Sequence, residues 1–478
     1  MIYRILKALS LCSFLLVGTA LADIAVETQS LKLIFSDQGD LMQVEACFPD
    51  CTAKKVKRGK LSAEKGMLVF EPTGTPPLEF ERKVVNSQTI LTFSDVAGNE
   101  IRRWEIPNQG WMVSLALKSA AQIKLHAGDA YTPPNTSGFG YLLEQTRYLL
   151  FDNSDIESFG TDNTEDAQHS SSGWFGFRSR FWATLILPER SVELNFDTGE
   201  TVVEAAVTIL TKSNDLQVMK LYIGPIEPAA LNKAAAELGG LMYSGLWFWL
   251  RWICQGFYSL LGGIAVLVPN WGFAIMLLSV LVVVVMLPLS RYAERLQDQV
   301  NIIDSRLAPQ LSAIKETFKG AKQSEKIIAL YKKEGVHPLY SLKSMLGIIF
   351  IIPVFIGVFN MLAENIHLSG VTFLWIKDLA LPDAFSQLSM NIPFFGDKLN
   401  LLPFIMTGFS FAAAKLHVTP GMDIAVQRKQ SRNLVIMSVS FLVLFYTFPA
   451  GMVLYWLTSN LVSVLKGLVT RYRVFPSK

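Results

Sequence analysis

The sequence predicts a membrane protein in two parts. An exported all-β sandwich comes first, followed by a five-helix transmembrane core that carries a cytoplasmic helical hairpin. Three observations support this. The 478 residues are 51% hydrophobic, more than one soluble core needs, and the excess lies after Gly239. Between residues 23 and 222, short alternating runs separated by turn residues read as strands. After Trp271, apolar runs long enough for a bilayer of roughly 30 Å alternate with charged connectors.

Residues 1–22 read as a signal peptide or an N-terminal anchor. Arg4 and Lys7 form a basic start, Ala8 to Leu21 is apolar, and Ala20-Leu21-Ala22 suits cleavage. Either way the 23–222 domain is exported. Leu31-Lys32-Leu33-Ile34-Phe35, Thr89-Ile90-Leu91-Thr92-Phe93 and Val202 to Leu210 are its clearest strand signals. Cys47 and Cys51 read as a small-loop disulfide in an oxidising compartment, because a metal site would need two further ligands nearby. Six acids lie between Asp152 and Asp166. Their spacing is not that of a calcium loop and reads as a solvated stretch. The aromatic run Trp174 to Trp182 suits a packed core, with a sugar site as the other reading.

Residues 223–269 form a linker and an interfacial amphipathic helix, whose tryptophans and Arg251 suit a membrane–water boundary. A full crossing is the alternative. The core, 270–478, has predicted spans at 271–289, 342–362, 399–414, 434–448 and 451–469. Nine basic residues fall between 290 and 338, three in 416–433 and three in the tail. The 363–398 segment has two, against four acids. The positive-inside rule then puts the 290–338 hairpin, the 416–433 loop and the C-terminus in the cytoplasm. Leu296, Val300, Ile303, Leu307, Leu311 and Ile314 make one helical stripe in the hairpin. The net charge of +3 gives no case for DNA binding. No nucleophile–base pair or metal cluster stands out, so the chain does not read as an enzyme and no cofactor is called for.

Several motifs follow in order: Leu221-Tyr222-Ile223-Gly224-Pro225, Asn270-Trp271-Gly272-Phe273, Met286-Leu287-Pro288-Leu289, Leu330 to Pro338, Ile352-Pro353-Val354-Phe355, Phe373 to Leu379, Phe448-Pro449-Ala450-Gly451, Leu454-Tyr455-Trp456 and Ser459-Asn460-Leu461. Together they resemble the bacterial YidC insertases of the Oxa/YidC/Alb superfamily. The resemblance implies an inner-membrane protein with a large periplasmic domain. Its five helices would surround a groove open to cytoplasm and lipid, through which nascent membrane proteins enter the bilayer without nucleotide hydrolysis. It also implies the ribosome, the Sec translocon and membrane lipid as partners. The expected groove positions are Ser279, Val283, Tyr455, Trp456, Thr407, Ser410 and Lys343. For Thr407 and Ser410, bonding within the bundle is the other reading, and for Lys343 it is snorkelling to the interface. Val283 stands where the family usually has an arginine, which makes this groove less cationic and marks the chain as a divergent paralogue. An insertion-inactive envelope-assembly scaffold and an exported carbohydrate-binding module on a membrane anchor are the competing functions.

Overall fold

The structure, a computed structural model, describes residues 23–62, 66–71, 78–118, 122–127, 137–152, 155–160, 169–197, 205–211, 217–337, 342–416 and 424–474. The 1–22 segment, most of the acidic 152–166 stretch and residues 338–341 lie outside the described residues. The chain forms two compact units. One comprises residues 1–133 and 145–241, the other 134–144 and 242–478.

The first unit is all-β. Among the described residues it holds two nine-stranded antiparallel sheets. One gathers the strands of 24–71 with Gln122–His126, His169–Ser171, Val192–Asp197 and Ala206–Leu210. The other runs from Asp155–Gly160 at one edge to Glu79–Val85 at the opposite edge. Leu31–Phe35 alternates buried and half-buried residues, as its sequence period of two requires. Leu31, Leu33, Phe35 and Val44 of one sheet share a core with Leu91, Phe93, Trp104 and Leu115 of the other. Rings fill much of that core. Tyr148 lies 4.8 Å from Phe177 and 5.1 Å from Phe196, and Trp104 lies 5.1 Å from Phe35. Its indole donates to the Gly39 carbonyl at 3.0 Å. Trp174, Phe175 and Phe177 are buried, so these rings of the 174–182 run pack inward. Cys47 and Cys51 are joined by a disulfide.

The unit continues past its last strand, Gln217–Pro225. Helix α1 (Pro228–Ala234) starts where the Glu227 carboxylate accepts from the Ala230 N–H at 2.8 Å. Trp174 then donates to Glu237 at 3.2 Å, and Arg178 to the Leu241 carbonyl at 3.2 Å. The first part of the linker is therefore folded against the strands.

The second unit is mainly helical: α2 (Phe248–Leu267), α3 (Trp271–Thr317), α4 (Ala321–Lys333), α5 (Leu342–Ala363), α6 (Leu402–Leu416), α7 (Ile424–Phe445) and α8 (Ala450–Val474). By length and composition, α2, α3 and α8 contain stretches able to cross a membrane. Shorter apolar stretches lie in α5, α6 and α7. Helix α8 packs against α6 and α3, α3 against α5, α7 against α6, and α2 against both α5 and α3.

Several predicted boundaries shift. The sequence ended the first span at 289, just past Pro288, but α3 continues through Pro288 and Pro309 to a total of 47 residues. A proline removes one ladder donor and bends a helix without necessarily ending it. The third span starts at Leu402 rather than 399, because a hairpin of strands Ser386–Ile392 and Gly396–Leu399 precedes it. That hairpin was not foreseen. Helix α7 begins ten residues before the predicted span and ends at Phe445, so it already covers Arg428, Lys429 and Arg432.

The α3–α4 arm follows the predicted stripe. Val300 and Leu307 are buried, and Leu296, Ile303, Leu311 and Ile314 are half-buried. Leu330 faces them from α4, and Arg306 pairs with Glu334 at 3.7 Å. Gly320, with φ at +64°, makes the turn.

Candidate functional site

The site is built around α8. Its first turn follows directly on the reversal at residues 446–449. Near that end an aromatic cluster joins three helices. The Trp456 ring lies 4.4 Å from Phe445 of α7, and 5.3 and 6.2 Å from Phe355 and Phe359 of α5. Phe448 lies 5.1 Å from Phe445 and 5.7 Å from Phe359. These rings fill the space between α5 and α7 at the reversal end of the bundle.

The reversal is held from outside the helices. The Gly140 N–H donates to the buried Thr447 hydroxyl at 2.9 Å, and the Phe139 ring meets Phe394 edge-on at 5.0 Å. Gly138 has φ at +56°, and a Cβ there would stand 2.6 Å from the Thr447 hydroxyl oxygen. Only glycine fits both the conformation and the space. The segment from Ser137 to Glu144 is thus a staple across the α7–α8 turn.

One turn farther along α8 the face changes character. Ser459, Asn460 and Ser463 are half-buried and share the side of the helix that carries Trp456. Asn460 donates to the Ser410 hydroxyl of α6 at 2.5 Å and to the Met406 carbonyl at 3.4 Å. Ser463 donates to the Ser459 carbonyl at 3.0 Å. A polar strip therefore starts where the aromatic cluster stops. Asn460 and Ser463 were not among the expected site positions, although serine, asparagine and serine at i, i+1 and i+4 inside an apolar helix were the available signal for a polar strip.

The predicted residues fall into distinct places. Ser279 is fully buried, and its hydroxyl donates to the Tyr455 carbonyl at 2.9 Å, so it ties α3 to α8. Tyr455 is buried as well, whereas Trp456 is half-buried. Val283, one turn along α3 from Ser279, is half-buried. Thr407 returns its hydroxyl to the Pro403 carbonyl at 2.8 Å, and Ser410 is taken up by Asn460. Both hydroxyls thus bond within the bundle. Lys343 belongs to the first turn of α5, and its side chain lies outside the described residues. Among the described residues no group of three or more metal-ligating side chains occurs.

Helix α2 stays level with one end of α5. The Tyr243 N–H donates to Glu364 at 3.1 Å, the Tyr258 ring lies 6.1 Å from His367, and Trp271 stacks on His367 at 5.1 Å and 8°. Residues 243, 258 and 271 all meet the four-residue stretch 364–367. A 20-residue helix running antiparallel beside α5 would have descended about 30 Å over its length.

Two family models match. The 60Kd inner membrane protein model covers residues 263–476, and the YidC periplasmic domain model covers 107–260. A curated relative from Thiobacillus denitrificans, "Membrane protein insertase YidC", is 31% identical over 63% of this chain and 52% of its own length. Proteins of the same name from Aliivibrio salmonicida and Polynucleobacter asymbioticus are 29% and 27% identical, over 74% and 70% of this chain and 61% and 57% of theirs. The chain thus spans little more than half the length of these curated relatives. A solved YidC insertase is 19% identical, with a TM-score of 0.37 over 99% of this chain and 100% of that one. Helical core and all-β unit each match a part of the same kind of protein, and the chain belongs to the YidC family, inner membrane proteins with a periplasmic domain.

Proposed function

We propose that this chain assists the insertion and folding of other membrane proteins. Clients would enter a groove between α5 and α7 that opens to the cytoplasm and to lipid, lined by α8. The observation that carries this reading is the abrupt change along one face of α8. Aromatic rings fill the reversal end, and Ser459, Asn460 and Ser463 follow. A client's polar flank could then enter part-way into the membrane without losing all its hydrogen-bond partners, each of which costs several kcal/mol to strip in hydrocarbon. The ring cluster blocks passage to the other side. Driving force comes from transferring the client's apolar segment into lipid, with no nucleotide hydrolysed.

In this reading the all-β unit, part of which matches a YidC periplasmic domain model, and the α7–α8 reversal lie on the periplasmic side. The α3–α4 arm and the C-terminus are cytoplasmic, as their basic residues require. Helix α2 lies along the periplasmic boundary and α3, α5, α6, α7 and α8 cross, which its level position beside residues 364–367 supports. Residues 1–22 act as signal or anchor. Nascent membrane proteins are the clients, and the ribosome and Sec translocon deliver them to the arm. Ser279 and Tyr455, packed behind the groove face of α8, tie α3 to α8 and hold that face in place, and Trp456 forms the groove floor. Val283, in place of a cation, narrows the clients to those needing little electrostatic help.

A photo-crosslinking residue at Ser459 tests this. It should capture a ribosome-stalled nascent membrane protein in inverted membrane vesicles, while the same probe at exposed Val285 captures lipid instead. Absence of a nascent-chain adduct at Ser459, with the protein intact, would sink the groove.

A further inference from the structure

We infer that the tight turn at Leu374 is an anchor that inserts into the periplasmic leaflet, at the boundary between lipid headgroups and acyl chains. Phe373 and Ile376 exchange both backbone hydrogen bonds, at 2.9 and 2.8 Å, which leaves Leu374 and Trp375 at the tip. Leu374 adopts a left-handed conformation, φ +52°, and is 73% exposed. Glycine or asparagine would form this turn with less strain. Neither packing nor turn chemistry explains a bare, strained leucine, whereas a surface that needs an apolar tip does.

The occupant follows from what adjoins the tip. Phe373 packs edge-on against Phe273 of α3 at 5.1 Å and covers Gly272, where a Cβ would collide with its ring. Phe273 is the first residue of an exposed stripe that continues through Leu277, Leu281 and Val284. That spacing is one side of a helix, and on a membrane-crossing helix such a side faces acyl chains. The tip is therefore continuous with the lipid-facing surface of α3. Trp375 donates its indole N–H to the buried Asp383 at 3.2 Å and meets the half-exposed Phe385 edge-on at 6.5 Å. Asp383 also accepts from the Leu401 and Leu402 N–H groups at 2.9 and 3.1 Å, which fixes the patch to the start of α6. Lys377 is exposed three residues beyond Leu374, where it can meet a lipid phosphate. An apolar tip, an indole and a lysine on a rigid loop match the chemistry of a phospholipid interface.

The test uses the full chain with Leu374→Cys, Cys12→Ala and Cys254→Ala, labelled with an environment-sensitive dye. The labelled protein is reconstituted in vesicles of phosphatidylethanolamine and phosphatidylglycerol. Dye emission should shift to the blue, resist iodide, and be quenched by a lipid carrying a nitroxide high on its acyl chain. A dye at Phe385→Cys should respond in the same way, and adding Leu374→Asn should more than halve its lipid quenching. Water-like emission with iodide quenching would overturn the anchor. A blue shift without nitroxide quenching would overturn it too, because a protein surface would then be covering the turn. Neither outcome touches the groove reading, which is tested separately by crosslinks at Ser459, farther along α8.

Discussion

Single side chains fix the seams of this molecule. The Ser279–Tyr455 bond joins α3 to α8 through one hydroxyl in an apolar setting. Ser279→Ala should lower stability by about 0.5–1 kcal/mol, read as a shift in the unfolding curve in mixed micelles, with the helix content of the folded protein unchanged. Gly272 is less forgiving, because a methyl there would collide with the Phe373 ring. Gly272→Ala should cost about 1–3 kcal/mol and loosen the Leu374 turn, visible as faster hydrogen exchange at the Phe373 and Ile376 amides. In the all-β unit, burial raises the phenol pKa values of Tyr148 and Tyr222, and Asp197 and Glu227 add to the rise. Both phenols bond to carbonyls, of Asp197 and Pro225 respectively. The fold thus favours their neutral forms. The stability they contribute is complete below about pH 10 and falls as pH climbs past it toward the raised values. Phenolate absorbance should show these two titrating only as the strands unfold, and Tyr148→Phe should flatten the alkaline loss of stability.

At the scale of elements, the arm is the clearest case of a sequence pattern becoming a contact. The stripe from Leu296 to Ile314 was readable because 3.6-residue periodicity survives in one sequence, and it packs as that period demands. Leu307→Ala should cost the arm about 2–3 kcal/mol. Proteolysis near Phe318 should then quicken, while the apolar half of α3 stays protected. Strand alternation was legible for the same reason. The staple at residues 137–140 was not, because Gly138 and Thr447 are 309 positions apart and neither residue type announces a partner. Nor was the continuation of α3. Pro288 carries the same local signal whether a helix ends or merely bends there, and only packing along its sides decides. The Ser386–Leu399 hairpin escaped because its outer strand is largely exposed and lacks alternation.

For the whole molecule, hydropathy and charge placement gave the two-part plan, since bilayer thickness and basic loops act on gross composition. The proposed groove was legible only in outline. Which serines face a client and which face a neighbour depends on helix rotation, and Ser279 fell on the packed side while Ser459 and Ser463 remained on the half-open one. Restoring a cation at Val283 tests how much the missing charge matters. Val283→Arg should broaden the set of clients rescued in an insertase-depleted strain. If the rescued set stays the same, the substitution is not what narrows function.

Helix α3 spans about 70 Å in one piece, from Trp271 to the Phe318 turn. With no loop along it to absorb slack, torque applied at the far tip travels the whole shaft. Pro288, close to where the apolar half ends, and Pro309 each interrupt the ladder, so flexing concentrates at those two points. Leverage on the arm is therefore felt next as a twist at the Ser279–Tyr455 seam, and a docked partner could pry at the bundle mechanically while staying clear of the membrane.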